Sequence, residues 1–304
     1  MHEPIMNPEY KKFLRTHGAL LIVNLIYGAN FTIAKQVMPR FVLPYGFIVL
    51  RVSTAILFYS IVQFFFLKNK VNLREDWKRF ALCGFFGIAF NQLMFFKGLS
   101  LTTPINGALL MIVTPIFVII FSAFIYKNSV GNIQILGTLL GALGAFLLIG
   151  GFNFSFSSAT ATGDMLIVIN AMSYAVYLVI AKPLMEKYHP FTAITYIFLF
   201  GYIWVLIAGL GDLQSVEWSA IPVNYYWHFA FILIMATAVV YFLNLYAMRE
   251  TSSAVVGNYI YTQPIFAVVI ALFTKNDTLT AAKIIAGCMI ALGVYLVSKK
   301  KHTT

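Results

Sequence analysis

The stretch Thr114-Pro115-Ile116-Phe117 lies within a long apolar run, and it returns 149 residues later as Gln263-Pro264-Ile265-Phe266. Two other pairs of similar stretches share nearly the same spacing. They match Tyr27–Lys35 with Tyr174–Lys182 at an offset of 147, and Ala142–Gly144 with Ala291–Gly293 at 149. Three matches in the same order at a nearly constant offset indicate an internal duplication of about half the chain. A repeat of membrane helices is typical of transporters.

The composition predicts a molecule that faces lipid over much of its surface. Of the 304 residues, 61% are hydrophobic and only 10% are charged, whereas a soluble domain carries about 25% charged residues. The net charge of +11 comes from Lys and Arg in short segments between apolar runs. We therefore interpret it as a membrane feature and expect no nucleic-acid partner. Cys83 and Cys288 each lie in an apolar run, which favours reduced helix residues over a disulfide.

Ten apolar runs have about the 20 residues that a helix needs to cross the hydrocarbon core. They are His17–Gln36, Tyr45–Leu67, Trp77–Phe96, Thr103–Tyr126, Gly131–Gly150, Gly163–Lys182, Phe191–Leu210, Trp227–Met248, Thr251–Phe273 and Ala281–Val297. The predicted fold class is therefore an all-α polytopic membrane protein with ten transmembrane helices. The segment Gly151–Thr162 falls at the midpoint, so we expect two five-helix repeats over residues 17–150 and 163–298.

The predicted orientation of the chain follows from its positive charges. With the amino terminus inside, cytoplasmic segments hold 15 Lys and Arg residues and the opposite side holds five. The excess of positive charge marks the cytoplasmic side, so both termini are expected there. Because each repeat has an odd number of spans, the second repeat enters the membrane upside down relative to the first. Such inverted-topology repeats place a substrate site at mid-membrane between two mobile halves.

The ordered set of these features resembles the drug/metabolite transporter superfamily, in particular its EamA-type ten-helix permeases. The features are the two five-span halves, the motif Tyr27-Gly28-Ala29-Asn30-Phe31, and a Pro-x-Phe helix fourth in each half. The resemblance covers about residues 17–297. It implies a carrier of the bacterial inner membrane that exports amino acids or related metabolites, while other branches carry nucleotide sugars and sugar phosphates. Family members commonly have a Glu after the fourth and ninth spans, where this chain has Lys127-Asn128 and Asn276-Asp277.

Polar side chains inside predicted spans are the candidates for substrate binding, because each needs a partner, a cavity or a task in lipid. The candidates are Tyr27, Asn30, Arg51, Gln92, Asn170, Tyr174, Tyr177, Tyr241, Asn244, Asn258, Tyr259 and Gln263. The resemblance places the first and sixth spans beside a central cavity. The alternative interpretation is that these groups tie helices to one another.

Two prolines predict helix kinks, Pro115 in the fourth span and Pro264 in the ninth. Proline withholds one backbone hydrogen bond from the carbonyl four residues earlier, which for Pro264 is Ile260. That oxygen is then available to a neighbouring helix or to a ligand.

Arg51 is the one Lys or Arg that falls well inside a predicted span, six residues after Tyr45. One interpretation is a side chain that snorkels to the nearby outer interface. The other is a partner for a substrate carboxylate, since guanidinium offers a fork of donors.

The function predicted from these residues is secondary transport of a small metabolite, as an exporter or exchanger, by alternating access. None of the ten acidic residues lies deep in a predicted span, which favours a uniporter or exchanger over proton or sodium coupling. We found no metal-ligand cluster, phosphate-binding glycine loop or catalytic triad, and expect no enzyme activity, cofactor or metal. The alternatives are a passive channel and a carrier for sugar phosphates or nucleotide sugars. Expected partners are the substrate and the lipid bilayer; a monomer suffices and a dimer is compatible.

Overall fold

The computed structural model describes residues 8–66, 71–127, 130–149, 160–266 and 280–298, which contain helices and no β-strand. Ten α-helices follow one another within these residues. They are α1 Pro8–Val37, α2 Pro44–Phe66, α3 Leu73–Leu101, α4 104–126, α5 Asn132–Ile149, α6 Ala161–Lys187, α7 Pro190–Gln214, α8 226–250, α9 253–266 and α10 Ala281–Ser298. The end of the predicted ninth span, most of the predicted linker Gly151–Thr162 and the pair Asn276-Asp277 lie outside the described residues.

Most of the described helices have the length and surface of membrane spans. Seven of them, α1 to α4 and α6 to α8, are long and apolar enough to cross a membrane, and α5 and α10 are shorter apolar helices. Their outer faces carry large apolar side chains such as Phe64, Phe124 and Ile207, each at least 75% exposed. In water such a surface would be costly, whereas lipid solvates it. The protein is therefore a polytopic all-α membrane protein.

The helices pair across the two halves in a reciprocal way. Helix α1 packs on α8 and α3 on α6, while α2 packs on α7 and α5 on α10. Ser53 and Tyr202 are themselves separated by the repeat offset of 149, and their hydroxyls form a hydrogen bond of 2.8 Å. Two copies related by an approximate twofold axis produce such pairs, because residues on the axis meet their own equivalents.

The contact between α5 and α10 shows the same reciprocity at backbone level. A Cβ on Gly137 would lie 2.8 Å from the carbonyl oxygen of Gly293, and one on Gly144 would lie 2.8 Å from that of Ala286. At the offset of 149, Gly137 corresponds to Ala286 and Gly144 corresponds to Gly293, so the two contacts are equivalent. Glycine is needed at Gly137 and Gly144 because the two backbones approach too closely for a side chain.

Irregular turns interrupt four helices at equivalent places in the two halves. Helix α3 contains a π-helical turn at Phe85–Ala89 and α8 contains one at Phe231–Val239. Helices α4 and α9 contain 3₁₀ segments at Met111–Val113 and Tyr259–Thr262, just before their prolines. π-Helical turns are rare in proteins, and those that occur are often found at functional sites.

The 3₁₀ segments change the prediction made for the prolines. In α9 the Gln263 N–H donates to the carbonyl of Ile260, and in α4 the Thr114 N–H donates to that of Met111. The carbonyl of Ile260 is therefore engaged by a 3₁₀ hydrogen bond and is not left free by Pro264. Each proline lies just after the irregular segment, where its missing N–H is tolerated because the α-helical bonding is already interrupted.

Candidate functional site

A cavity of about 60 Å³ lies between the two halves, where α1, α2, α3, α4, α6, α8 and α9 meet. Three pairs of its lining residues are equivalent in the internal repeat, at offsets of 147 or 149. They are Tyr27 with Tyr174, Gln92 with Tyr241, and Met111 with Ile260. Both halves therefore contribute the same positions to one cavity on their common boundary.

Eight of the twelve candidates from the sequence line this cavity. They are Tyr27, Asn30, Arg51, Gln92, Asn170, Tyr174, Tyr241 and Gln263. The helices that carry them are far apart in the chain, so the cavity exists only once both halves have packed together.

Two other candidates lie just behind the lining. Asn244 donates from Nδ2 to the Tyr174 hydroxyl at 3.0 Å, so it supports a lining residue without reaching the cavity itself. Tyr177 packs its ring against Gly87, where an added Cβ would lie 2.3 Å from the ring. The hydroxyl of Tyr177 is buried and has no hydrogen-bond partner among the described residues.

The last two candidates, Asn258 and Tyr259, make contacts outside the cavity. Asn258 donates from Nδ2 to the Ala254 carbonyl of its own helix at 2.9 Å. The Tyr259 hydroxyl lies 2.5 Å from Nδ1 of His17 on α1. The contact of Tyr259 with α1 is the kind that the alternative interpretation of the polar side chains predicts, whereas the hydrogen bond of Asn258 stays within its own helix.

Six lining residues were absent from the sequence-based set, namely Phe31, Asn91, Phe95, Phe96, Met111 and Ile260. Asn91 carries a usable signal, because it is a polar residue inside a predicted span and precedes Gln92. The chain has 29 Phe residues. Composition cannot separate a Phe that faces a cavity from one that faces lipid.

Arg51 is buried at the cavity with only 3% of its surface exposed. Its Nε donates to Thr237 Oγ1 at 2.7 Å, and its Nη2 donates to the Ala236 carbonyl at 3.0 Å. The guanidinium carbon lies 4.4 Å from the centre of the Phe96 ring, a cation–π distance. Among the described residues no carboxylate pairs with Arg51. The snorkelling interpretation is wrong, because the side chain turns inward to α8.

Several carboxamides at the cavity have atoms without a hydrogen-bond partner of normal geometry among the described residues. Both amide atoms of Gln92 and the Oδ1 atoms of Asn30 and Asn170 are in this group, and all are buried. Buried polar atoms are nearly always paired, so each such atom needs an explanation. A solute with complementary donors and acceptors supplies one.

The π-helical turns offer carbonyl oxygens to side chains of other helices. In α3 the carbonyl of Phe86 accepts from Ser173 Oγ at 2.7 Å, and that of Gly87 accepts from the Tyr241 hydroxyl at 3.0 Å. In α8 the carbonyl of Ala236 accepts from the guanidinium described above. Each turn thus ties its helix to helices that line the cavity.

The profile of the EamA-like transporter family matches residues 15–150 and 161–299. The chain belongs to the EamA-like transporter family. It is therefore an integral membrane protein and a small-molecule transporter. The chain is 24% identical over 290 residues to the uncharacterized transporter YyaM of Bacillus subtilis (strain 168), with 94% of each chain covered.

Other relatives of this EamA-like transporter are spread across bacteria and archaea. An uncharacterized transporter of Archaeoglobus fulgidus is 25% identical over 234 residues, which cover 75% of this chain and 78% of the relative. A protein of known crystal structure shares the fold with a TM-score of 0.73 and 18% identity, with 95% of this chain and 96% of that chain covered. At that identity the likeness concerns the fold alone.

One buried carboxylate of this EamA-like transporter lies outside the cavity. Asp164, at the start of α6, is 3% exposed. Its oxygens accept from the hydroxyls of Thr102 and Thr160 at 2.5 and 3.0 Å and from Nδ2 of Asn106 at 3.4 Å. Because its donors lie in the α3–α4 connection, in α4 and just before α6, Asp164 joins the two halves at this end of the bundle.

Proposed function

We propose that this protein is a secondary transporter that moves amino acids or related small metabolites by alternating access at the cavity between its halves. The observation that carries the proposal is that equivalent residues of both halves line one cavity. A carrier built from two repeats has its substrate site at the repeat interface, and rocking of one repeat against the other exposes that site to each side in turn. We assign the two repeats to residues 17–150 and 163–298.

The interrupted helices support a moving carrier over a static scaffold. Each half has one π-helical turn and one 3₁₀ segment beside the cavity. Interrupted helices are tolerated in membranes where neighbouring groups satisfy the backbone or where they line a cavity. At these positions a helix can also bend without breaking many further hydrogen bonds, because its α-helical bonding is already interrupted. Rocking of the halves requires such bending.

The chemistry of the lining supports a small solute with both donors and acceptors. Asn30, Gln92 and Asn170 have carboxamide atoms without a hydrogen-bond partner of normal geometry in the described part of the chain, while Tyr27 and Tyr174 offer hydroxyls and rings. An amino acid, with its ammonium, carboxylate and apolar side chain, complements such a surface. We further propose export or exchange across a bacterial inner membrane, with both termini in the cytoplasm.

Counterflow in proteoliposomes tests this function. Purified protein is reconstituted and offered a panel of labelled amino acids, with and without the same solute inside. We expect saturable uptake of one class that internal solute accelerates. Asn30→Ala and Tyr174→Phe should raise the apparent KM several-fold, because each removes a polar group at the cavity.

A matched variant and two outcomes make this test decisive. Tyr126→Phe removes another tyrosine hydroxyl, bonded to the Val179 carbonyl at 2.9 Å away from the cavity, and should leave the KM unchanged. Uptake that rises linearly with concentration and ignores internal solute would indicate a passive channel. Equal KM values in all three variants would remove the cavity as the substrate site.

A further inference from the structure

We propose that Thr237 is a positioning residue that sets the substrate class, because with the π-helical turn of α8 it holds Arg51 ready to receive a carboxylate in the cavity. This inference rests on the proposed function, since it concerns the substrate of that same site. It assigns a task to Thr237, which has no polar or charged neighbour in the sequence to mark it.

The guanidinium of Arg51 is fixed on one edge and one face. A guanidinium carries five N–H donors in one plane. The edge formed by Nε and Nη2 is bonded to Thr237 Oγ1 and to the Ala236 carbonyl, and one face packs on the Phe96 ring. The remaining donors have no hydrogen-bonded partner in the described part of the chain, and Arg51 lines the cavity.

The Thr237 hydroxyl is itself oriented by the π-helical turn. Its Oγ1 donates to the carbonyl of Ile232, five residues earlier, at 2.7 Å. With its single hydrogen used there, the oxygen presents a lone pair to Nε of Arg51. The spacing of five residues is the repeat of π-helical bonding, so the irregular turn and the orientation of Arg51 depend on each other.

The charge of Arg51 determines what completes the site. The side chain stays protonated in proteins, and a buried cation is stable only with compensating groups. The described residues supply two neutral acceptors and one ring, with no carboxylate. A substrate carboxylate supplies the missing negative charge and matches the free N–H donors in a two-point contact. The predicted substrate class is therefore a small carboxylate.

The test compares each carboxylate with its carboxamide, which has nearly the same shape and no charge. The probes are glycine, leucine, phenylalanine and benzoate, each paired with its amide. Binding to purified protein is measured by thermal shift, and inhibition of counterflow is measured in proteoliposomes. We expect wild type to prefer at least one carboxylate by about tenfold or more, since a hydrogen bond to a charged group contributes more than a neutral one.

Variants of Thr237 distinguish positioning from simple packing. Thr237→Val keeps the shape and removes the acceptor, so the preference for carboxylate should fall about tenfold while binding of the carboxamide stays constant. Thr237→Ser restores the hydroxyl and should restore the preference. Thr195→Val is the matched control, because Thr195 is buried and also bonds its own helix, at the Phe191 carbonyl, away from the cavity.

Each outcome of this test decides one hypothesis. An unchanged preference in Thr237→Val, with wild-type thermal stability, would overturn the positioning role. A wild type that binds every carboxamide as tightly as its acid would overturn the substrate class. If wild type binds carboxylates selectively but internal solute never accelerates uptake, the proposed transport mode is overturned and the Arg51 site stands.

Discussion

Gln92→Met is expected to make the protein more stable and the transporter less effective. Gln92 is 3% exposed, and neither its Nε2 nor its Oε1 has a partner of normal geometry among the described residues. Methionine has a similar length and no strongly polar atom, and it adapts to irregular spaces. The substitution therefore removes a buried amide that lacks a hydrogen bond of normal geometry and, in the proposed function, two hydrogen bonds to the substrate.

The two expected effects have opposite signs and comparable size. An unpaired buried polar group costs about 1–3 kcal/mol, so the free energy of unfolding should rise by about 1–2 kcal/mol, in the lower half of that range. Two neutral hydrogen bonds contribute about 1–3 kcal/mol together, so substrate affinity should fall about 5- to 150-fold.

Asn24→Leu is the matched control for this prediction. Asn24 is equally buried, but its Nδ2 donates to the Leu20 carbonyl at 2.7 Å and its Oδ1 accepts from Gln263 at 2.9 Å. Its removal should lower stability by about 1–3 kcal/mol, because the Gln263 amide loses its partner. Thermal unfolding in detergent and counterflow in proteoliposomes measure both variants. If Gln92→Met is destabilised as much as Asn24→Leu, or transports as wild type does, the reasoning fails.

Two further predictions concern how the halves are joined. Gly293→Ala should lower the free energy of unfolding by about 1–3 kcal/mol, since its Cβ would lie 2.5 Å from the Gly137 carbonyl oxygen. Gly287→Ala is the control, because an added Cβ there meets open space on the same helix. It should be neutral or stabilising by about 0.5–1 kcal/mol. Equal melting temperatures for these two variants would contradict the close helix contact. Asp164→Ala should lower the free energy of unfolding by at least about 2 kcal/mol, because it leaves three donors without an acceptor. Asp164→Asn should lower it less. Thermal unfolding measures both variants, and a more stable Asp164→Ala would contradict this prediction.

The residues that could be predicted from the sequence are those whose behaviour depends on local chemistry. The free energy of transferring a helix into lipid is a sum over the residues of a segment of about 20 positions. The apolar runs therefore predicted the helices before any packing was known. The repeat offset likewise predicted equivalent helices, and two equivalent pairs, α2 with α7 and α5 with α10, pack on each other. Polar residues inside these runs, such as Gln92 and Asn170, stood out because burial in lipid is costly.

Tertiary structure alone decided which of these residues share the cavity. Asn30 lines it and Asn258 does not, although both are asparagines within predicted spans. Their roles differ because the rotation of a helix about its axis is set by packing against helices elsewhere in the chain. The bond between Arg51 and Thr237 joins residues 186 positions apart, and the π-helical turn that carries Thr237 packs against α2. Hydrophobicity is a property of each residue, whereas such contacts are a property of the assembled halves.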